Sequence, residues 1–206
     1  GRIVLPMRIP NLVAAALLAS SVACSSAAPS APPVGEGDYW VYVGTYTRNT
    51  SEGVYGFQFN SSTGDLTSLG LMAHIPSPSF VAAHPNGRFL YTSNEREYEE
   101  VMGNLVSTFS IDPQTGGLSL LKRTSSQGNG PAHVVVDPTG QALVVSNYRG
   151  GNVAVLPILP DGTLGDATSV DQHYGQGANP TRQDSPHAHG SAISPDNRWV
   201  LTAEHG

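Results

Sequence analysis

Residues 131–147 decide the fold, and they read PAHVVVDPTGQALVVSN. A short apolar strand, a Pro-x-Gly turn and a second strand rich in β-branched residues follow one another. Proline suits the first corner of such a turn, and glycine or asparagine tolerates the positive φ of a later one. The same plan recurs at residues 79–94 and 189–203, with the equivalent prolines 53 and 57 residues apart at Pro85, Pro138 and Pro195.

A second marker recurs between these segments. Alternating strands are predicted at residues 54–59, 106–111 and 153–158, and each leads into a glycine turn of the kind that joins antiparallel strands. The repeating unit is therefore about 50 residues with four short strands, which is typical of a β-propeller blade. A β-sandwich would not repeat a turn motif at this period. The sequence predicts an all-β chain, a β-propeller of four-stranded antiparallel blades that stack face to face.

The length of the repeating region sets the number of blades. Residues 39–206 hold about three and a half units of ~50 residues, whereas propellers close with 4–8 blades. We therefore expect residues 39–206 to be a partial propeller, about half of a longer protein.

The N-terminal segment is typical of an export signal. Met7 and Arg8 begin a short basic stretch, and residues 9–23 carry no charge but are shorter than the ~20 apolar residues that span a bilayer. We expect residues 1–23 to be a signal peptide and residues 24–38 to be a flexible linker.

Cys24 is the single cysteine, which excludes an intramolecular disulfide. Its place directly after residues 21–23 resembles the lipobox of bacterial lipoproteins, with Ser21 where leucine is usual. Lipidation of Cys24 and plain cleavage near Ala27 or Ala28 both stay open. Either way, we expect a periplasmic or cell-envelope protein, and lipidation of Cys24 would be its one attachment to the membrane.

The charge balance excludes one large class of function. Ten basic residues face sixteen acidic ones, giving a net charge of −6, and Lys122 is the only lysine. Nucleic-acid binding needs a clustered basic face, so no nucleic-acid partner is expected. The sequence also lacks a Gly-x-Gly-x-x-Gly motif, a Walker loop and a Gly-x-Ser-x-Gly elbow, so nucleotide binding and serine-hydrolase chemistry are unsupported.

Three stretches resemble one known family. Residues 41–47 (VYVGTYT), 146–155 (SNYRGGNVAV) and 182–189 (RQDSPHAH) are similar to motifs of the lactonase family of seven-bladed β-propellers, which includes 6-phosphogluconolactonases and a muconate lactonising enzyme. One departure is visible, because the family often continues with Asp-Leu-Gly where this chain has residues 204–206 (EHG). The resemblance implies that about three of seven blades are present. It further implies a small-molecule lactone or carboxylated sugar derivative as substrate, without cofactor or metal.

The third motif carries the candidate catalytic residues His187, His189 and Arg182. Residues i and i+2 of a strand face one side, so we expect both imidazoles to point into the axial funnel. Opening a lactone needs a base that activates water and a cation or N–H donors for the oxyanion. We expect His189 as base, and Arg182 to hold the oxyanion or a substrate carboxylate or phosphate. The alternative leaves one imidazole bonded to backbone and the other solvated.

Further residues are expected to bind substrate. Asn147 and Tyr148 end a predicted strand, and Glu95 ends another, where strands approach the funnel. Asn147 could instead cap a turn, and Glu95 could belong to a solvated acidic loop. The His-x-His pattern also occurs in zinc sites, but no cluster supplies a third and fourth ligand, so we predict no metal.

These observations predict an exported lactonase, expected to be a monomer when full length. Export disfavours a phosphorylated sugar lactone, which is a cytoplasmic metabolite. Two alternatives stay open: a muconate-type lactonising cycloisomerase, and a non-catalytic binding propeller of the cell envelope.

Overall fold

The computed structural model describes residues 2–8, 37–95 and 103–206, with side chains from residue 37 onward. These residues form fourteen β-strands and no helix. The described part of the chain accordingly contains no helix long and apolar enough to cross a membrane. The strands are β1 Arg2–Arg8, β2 Asp38–Gly44, β3 Gly53–Asn60, β4 Leu66–His74, β5 Val81–Ala83, β6 Phe89–Asn94, β7 Leu105–Ile111, β8 Leu118–Ser125, β9 Pro131–Val136, β10 Ala142–Asn147, β11 Asn152–Pro157, β12 Ser169–Gln172, β13 Ala188–Ile193 and β14 Val200–Glu204.

The strands form successive antiparallel sheets in chain order. Blade 1 is β1-β2-β3-β4, blade 2 is β5-β6-β7-β8, blade 3 is β9-β10-β11-β12, and β13 and β14 form a hairpin that we call blade 4. The first strand of each blade contacts the first strand of the next, so β1, β5, β9 and β13 lie side by side around one axis. The prediction of a β-propeller with about three blades is confirmed.

The two predicted turn motifs lie where the sequence placed them. The turn between the first and second strands holds one residue with positive φ in each of three blades: Gly87 at 77°, Gly140 at 71° and Asn197 at 56°. Only a residue that tolerates the left-handed region fits there. The second motif is the hairpin turn between the third and fourth strands.

Apolar side chains fill the spaces between blades. Leu90 of blade 2 packs with Trp40 and Tyr42 of blade 1, whereas Tyr91 packs with Leu143 and other residues of blade 3. Alternation along β6 thus sends neighbouring residues to opposite faces of one sheet. Burying each large apolar side chain stabilises the fold by about 1.5–3 kcal/mol. Packing between neighbouring blades therefore stabilises the whole stack.

Two tyrosines connect neighbouring blades in the same way. The Tyr42 hydroxyl donates to the carbonyl of Gly116 in the hairpin turn of blade 2, at 2.7 Å, and the Tyr91 hydroxyl donates to Gly162 in blade 3, at 2.9 Å. Burial, with a nearby aspartate as the lesser cause, raises the pKa of both phenols. Their matching role fixes the alignment of the blades: Tyr42 is equivalent to Tyr91.

The export prediction falls mostly outside the described residues. Residues 9–36, which include Cys24 and nearly all of the expected linker, are not described. Strand β1 lies within the expected signal peptide and pairs antiparallel with β2. The signal peptide, the linker and the lipidation of Cys24 stay predictions.

Candidate active site

A cavity of 460 Å³ lies where the second strands of the blades end. The two tyrosines align blades 1 and 2, and the turn prolines Pro85, Pro138 and Pro195 align blades 2 to 4. This alignment places one residue per blade at the same point, just after that strand. These four residues all line the cavity: Tyr46, Glu95, Tyr148 and His205. The cavity therefore lies on the axis, and every described blade contributes to its wall.

A second set of lining residues comes from the starts of the first strands. Ser79, Ala132 and His189 each precede the turn proline of their own blade by six residues, and all three line the cavity. Phe80 and Gly44 complete this part of the wall, and Arg182 reaches it from the loop between β12 and β13. The volume is within the range of about 300–1,000 Å³ that small-molecule sites occupy.

The cavity brings together four of the predicted site residues: Arg182, His189, Tyr148 and Glu95. Arg182 is exposed, and its guanidinium forms no ion pair with a described side chain. The wall thus carries one cationic and one anionic side chain beside two imidazoles. Such a site can bind a polar ligand, donate to a developing oxyanion and move a proton.

His187 does not line the cavity beside His189. Strand β13 begins only at Ala188, and its pairing with β14 shifts between Ala188 and Gly190, which breaks the regular alternation around His189. The expectation that both imidazoles point into the funnel is therefore wrong for His187. Its ring instead stacks on Tyr148, with centroids 4.5 Å apart and planes 9° apart, and its Nδ1 lies 3.0 Å from the Tyr148 carbonyl oxygen.

Tyr148 connects the two histidines. Its ring meets the His189 ring edge-on, with centroids 5.7 Å apart and planes at 82°. With His187, the Tyr148 ring instead forms a parallel stack. The Tyr148 ring thus lies between His187 and His189, and it is Tyr148, not His187, that lines the cavity.

Asn147 is fully buried and lies outside the cavity lining. Its Nδ2 donates to the carbonyl of Ser126 at 2.8 Å, in the loop that leads into β9. The equivalent Asn94 donates to the carbonyl of Pro76 at 2.9 Å, in the loop that leads into β5. The Asn147 side chain therefore ties the end of β10 to the loop before β9. A role for Asn147 in substrate binding stays a prediction.

Two lining residues with titratable side chains, Tyr46 and His205, were not predicted as substrate-binding or catalytic. The Tyr46 hydroxyl donates to Oε2 of Glu95 at 2.6 Å, and the His205 ring lies 5.7 Å from that of His189 and 6.1 Å from that of Tyr148. The signal for both was present in the repeat, since each occupies the position of Glu95 and Tyr148 in its own blade.

No three His, Cys, Asp or Glu side chains cluster so as to hold a metal ion within residues 37–95 and 103–206. The expectation that the reaction needs no metal stays a prediction.

The fold is that of a partial β-propeller, and its polar axial cavity is of a size that fits a small molecule. The family model described as "Lactonase, 7-bladed beta-propeller" matches residues 40–206. The chain belongs to this lactonase family.

Individual relatives agree with that assignment. A 6-phosphogluconolactonase of Bacillus subtilis is 33% identical over 168 residues, which cover 82% of this chain and 47% of the relative. A 6-phosphogluconolactonase of Formosa agariphila is 28% identical over 167 residues, 81% of this chain and 47% of the relative. The structure of a periplasmic gluconolactonase from Pseudomonas aeruginosa matches with a TM-score of 0.73 and 28% identity, covering 82% of this chain and 47% of that one. The chain thus spans about half the length of the relatives it matches.

Proposed function

We propose that the whole protein containing this chain hydrolyses a sugar-type or carboxylated lactone in the axial cavity. The observation that carries the proposal is that His189 and Arg182 line one cavity of a lactonase-family propeller. The names of the relatives support the same reaction type, because they are 6-phosphogluconolactonases and a gluconolactonase.

The chemistry needs one proton carrier and one oxyanion partner. The His189 imidazole takes a proton from a water molecule whose oxygen attacks the lactone carbonyl carbon. Arg182 stabilises the negative charge that develops on the carbonyl oxygen. The ring C–O bond then breaks, and the leaving alkoxide takes the proton from His189, which gives the open hydroxy acid and restores the imidazole.

Other side chains orient the reacting groups. Tyr148 packs edge-to-face with His189 and is itself stacked on His187, so these contacts restrict the orientation of the His189 imidazole. Glu95, whose carboxylate is oriented by Tyr46, accepts hydrogen bonds from hydroxyl groups of the sugar. The cavity therefore recognises a polyhydroxylated ring through Glu95 and its carbonyl through Arg182.

A lactone panel tests the proposal on the whole protein. Acid release from glucono-δ-lactone, from its 6-phosphate and from a carboxylated γ-lactone is followed with a pH indicator. We expect hydrolysis of at least one lactone, and Arg182→Met to lower kcat by about 10²–10³-fold, as loss of an oxyanion donor does in other enzymes. Absence of hydrolysis across the panel would overturn the proposal.

Export belongs to the same proposal. A signal peptide at residues 1–23, whose cleavage would take β1 from blade 1, directs the enzyme to the periplasm or cell envelope, where an unphosphorylated lactone is the expected substrate. Cell fractionation of the whole protein, together with the variant Cys24→Ala, tests this location: a lipid anchor at Cys24 predicts that the variant leaves the membrane fraction. An enzyme that stays in the cytoplasm and prefers the phosphorylated lactone would contradict the export proposal.

A further inference from the structure

The loop that carries Arg182 is the longest connection that the structure describes in full. It joins β12 to β13 through residues 173–187, whereas the equivalent connections into β5 and β9 comprise residues 75–80 and 126–130. Long connections in compact domains are commonly functional. Here the loop supplies the cavity with its arginine.

The middle of this loop is held together by its own hydrogen bonds. The backbone N–H groups of Arg182 and Gln183 donate to the carbonyl of Asn179, at 3.2 and 2.7 Å, and Gly177 donates to the carbonyl of Gln183 at 2.8 Å. A loop folded on itself in this way is compact. The contacts at its two ends then orient this compact part, and Arg182 with it, relative to the blades.

One carboxylate touches both ends. Oε2 of Glu204, the last residue of β14, accepts the backbone N–H of His187 at 2.6 Å. Oε1 of the same side chain contacts Nδ1 of His173. His173 is also 3.7 Å from the carboxylate of Asp171, and Glu204 is only partly exposed.

The repeat shows why this residue differs from its equivalents. Asn94 and Asn147 occupy the position of Glu204 in blades 2 and 3, and each donates its amide to one carbonyl of the loop entering its own blade. A carboxylate has no proton to donate, but its two oxygens accept from separate donors. Glu204 thus replaces a single attachment by a bridge between the ends of the loop.

We propose that Glu204 is a positioning residue that sets Arg182 in the cavity by bridging His173 and His187. The expected effect of Glu204 on lactone hydrolysis rests on the proposed function. Its expected effect on the stability of the loop rests on the geometry alone. Glu204 does not line the cavity, so it acts through the loop.

Two readouts on the folded whole protein test the bridge. The first is the rate of tryptic cleavage after Arg182, followed by mass spectrometry, which reports how often the loop opens. The second is a double-mutant cycle between Glu204→Leu and Arg182→Met in lactone hydrolysis. Asp166→Leu is the matched control, because Asp166 is an exposed carboxylate in a different loop.

Glu204→Leu is expected to speed tryptic cleavage after Arg182 about tenfold or more, because the loop opens more often once the bridge is lost. In the otherwise unchanged protein, Glu204→Leu is expected to lower kcat/KM about tenfold. In the Arg182→Met variant, the same change is expected to lower kcat/KM little further. Asp166→Leu should change neither. Equal cleavage rates in Glu204→Leu and the parent would overturn the inference, as would fully additive kinetic effects.

His173→Ala provides a second variant in case Glu204→Leu does not fold. It removes one end of the bridge and keeps the bond from His187, so intermediate cleavage is expected, and a parental rate would count against the bridge. If the whole protein hydrolyses no lactone, the proposed function fails, while the cleavage rates still decide whether Glu204 holds the loop.

Discussion

The phenol of Tyr46 donates a hydrogen bond of 2.6 Å to Oε2 of Glu95, and the two residues occupy the same repeat position in neighbouring blades. The bond joins blades 1 and 2 at the cavity wall and engages Oε2 of the Glu95 carboxylate. A contact between equivalent positions is a direct consequence of radial packing.

Tyr46→Phe tests the part that this bond plays in substrate binding. Loss of one hydrogen bond to a charged group at a partly exposed site costs about 1 kcal/mol, or about fivefold in an equilibrium constant. We expect KM for the lactone to rise by about that factor with kcat nearly constant, since the bond orients a binding group.

The matched control is Tyr55→Phe, because the Tyr55 hydroxyl accepts only from the backbone of Glu52, away from the cavity, at 3.2 Å. Steady-state kinetics of both variants decide the matter. A parental KM for Tyr46→Phe would show that the bond from Tyr46 does not orient Glu95 for substrate binding.

Tyr91→Phe tests the connection between blades. The buried hydroxyl donates to the carbonyl of Gly162, and its removal leaves that acceptor unpaired at a cost of about 1–3 kcal/mol. A lower free energy of unfolding by this amount is expected in denaturant titration of the whole protein. Tyr174→Phe should be neutral, since Tyr174 is 88% exposed, and equal effects of the two changes would show that the interblade bond contributes nothing.

Asp137 makes stability depend on pH in a defined direction. Partial burial opposes ionisation of Asp137, but hydrogen bonds from Thr139, Ala142 and Asn197 together hold the pKa of its carboxyl below the ordinary value of 3.8. A depressed folded-state pKa means that the stabilisation is present above about pH 4 and is lost as pH falls through the folded value.

We expect Asp137→Asn to lower the free energy of unfolding by about 1–3 kcal/mol at pH 6, because an amide cannot accept all of these bonds. The difference between variant and parent should shrink below pH 4. Chemical unfolding at pH 6 and pH 3 measures it, with Asp166→Asn as a control that has no described partner. A difference that grows on acidification would contradict the sign.

Much of this arrangement could be predicted from the sequence, because a repeated turn chemistry is a local signal. Gly87, Gly140 and Asn197 stand where each turn needs positive φ, so the blade boundaries follow from the chain itself. Membership of Glu95, Tyr148 and His189 in one cavity followed from their places at strand ends.

The remainder depends on contacts between blades that are distant in sequence. Alternation placed His187 beside His189, but the register shift at the start of β13 turned the two rings apart. The cavity positions of Tyr46 and His205, in contrast, were carried by the repeat. His205 lies 57 residues after Tyr148, as Pro195 does after Pro138, and the matching bonds of Tyr42 and Tyr91 align Tyr46 with Glu95. Local periodicity could not supply the ring contacts between different blades.

The central claim is that His189 is the base that opens a lactone in the axial cavity. The most direct measurement is kcat/KM of the whole protein carrying His189→Ala, beside His74→Ala, which alters an exposed histidine at the end of β4. We predict a fall of about 10²–10⁴-fold for His189→Ala, the usual contribution of a general base, and parental activity for His74→Ala. Lactone hydrolysis undiminished in His189→Ala would contradict the account.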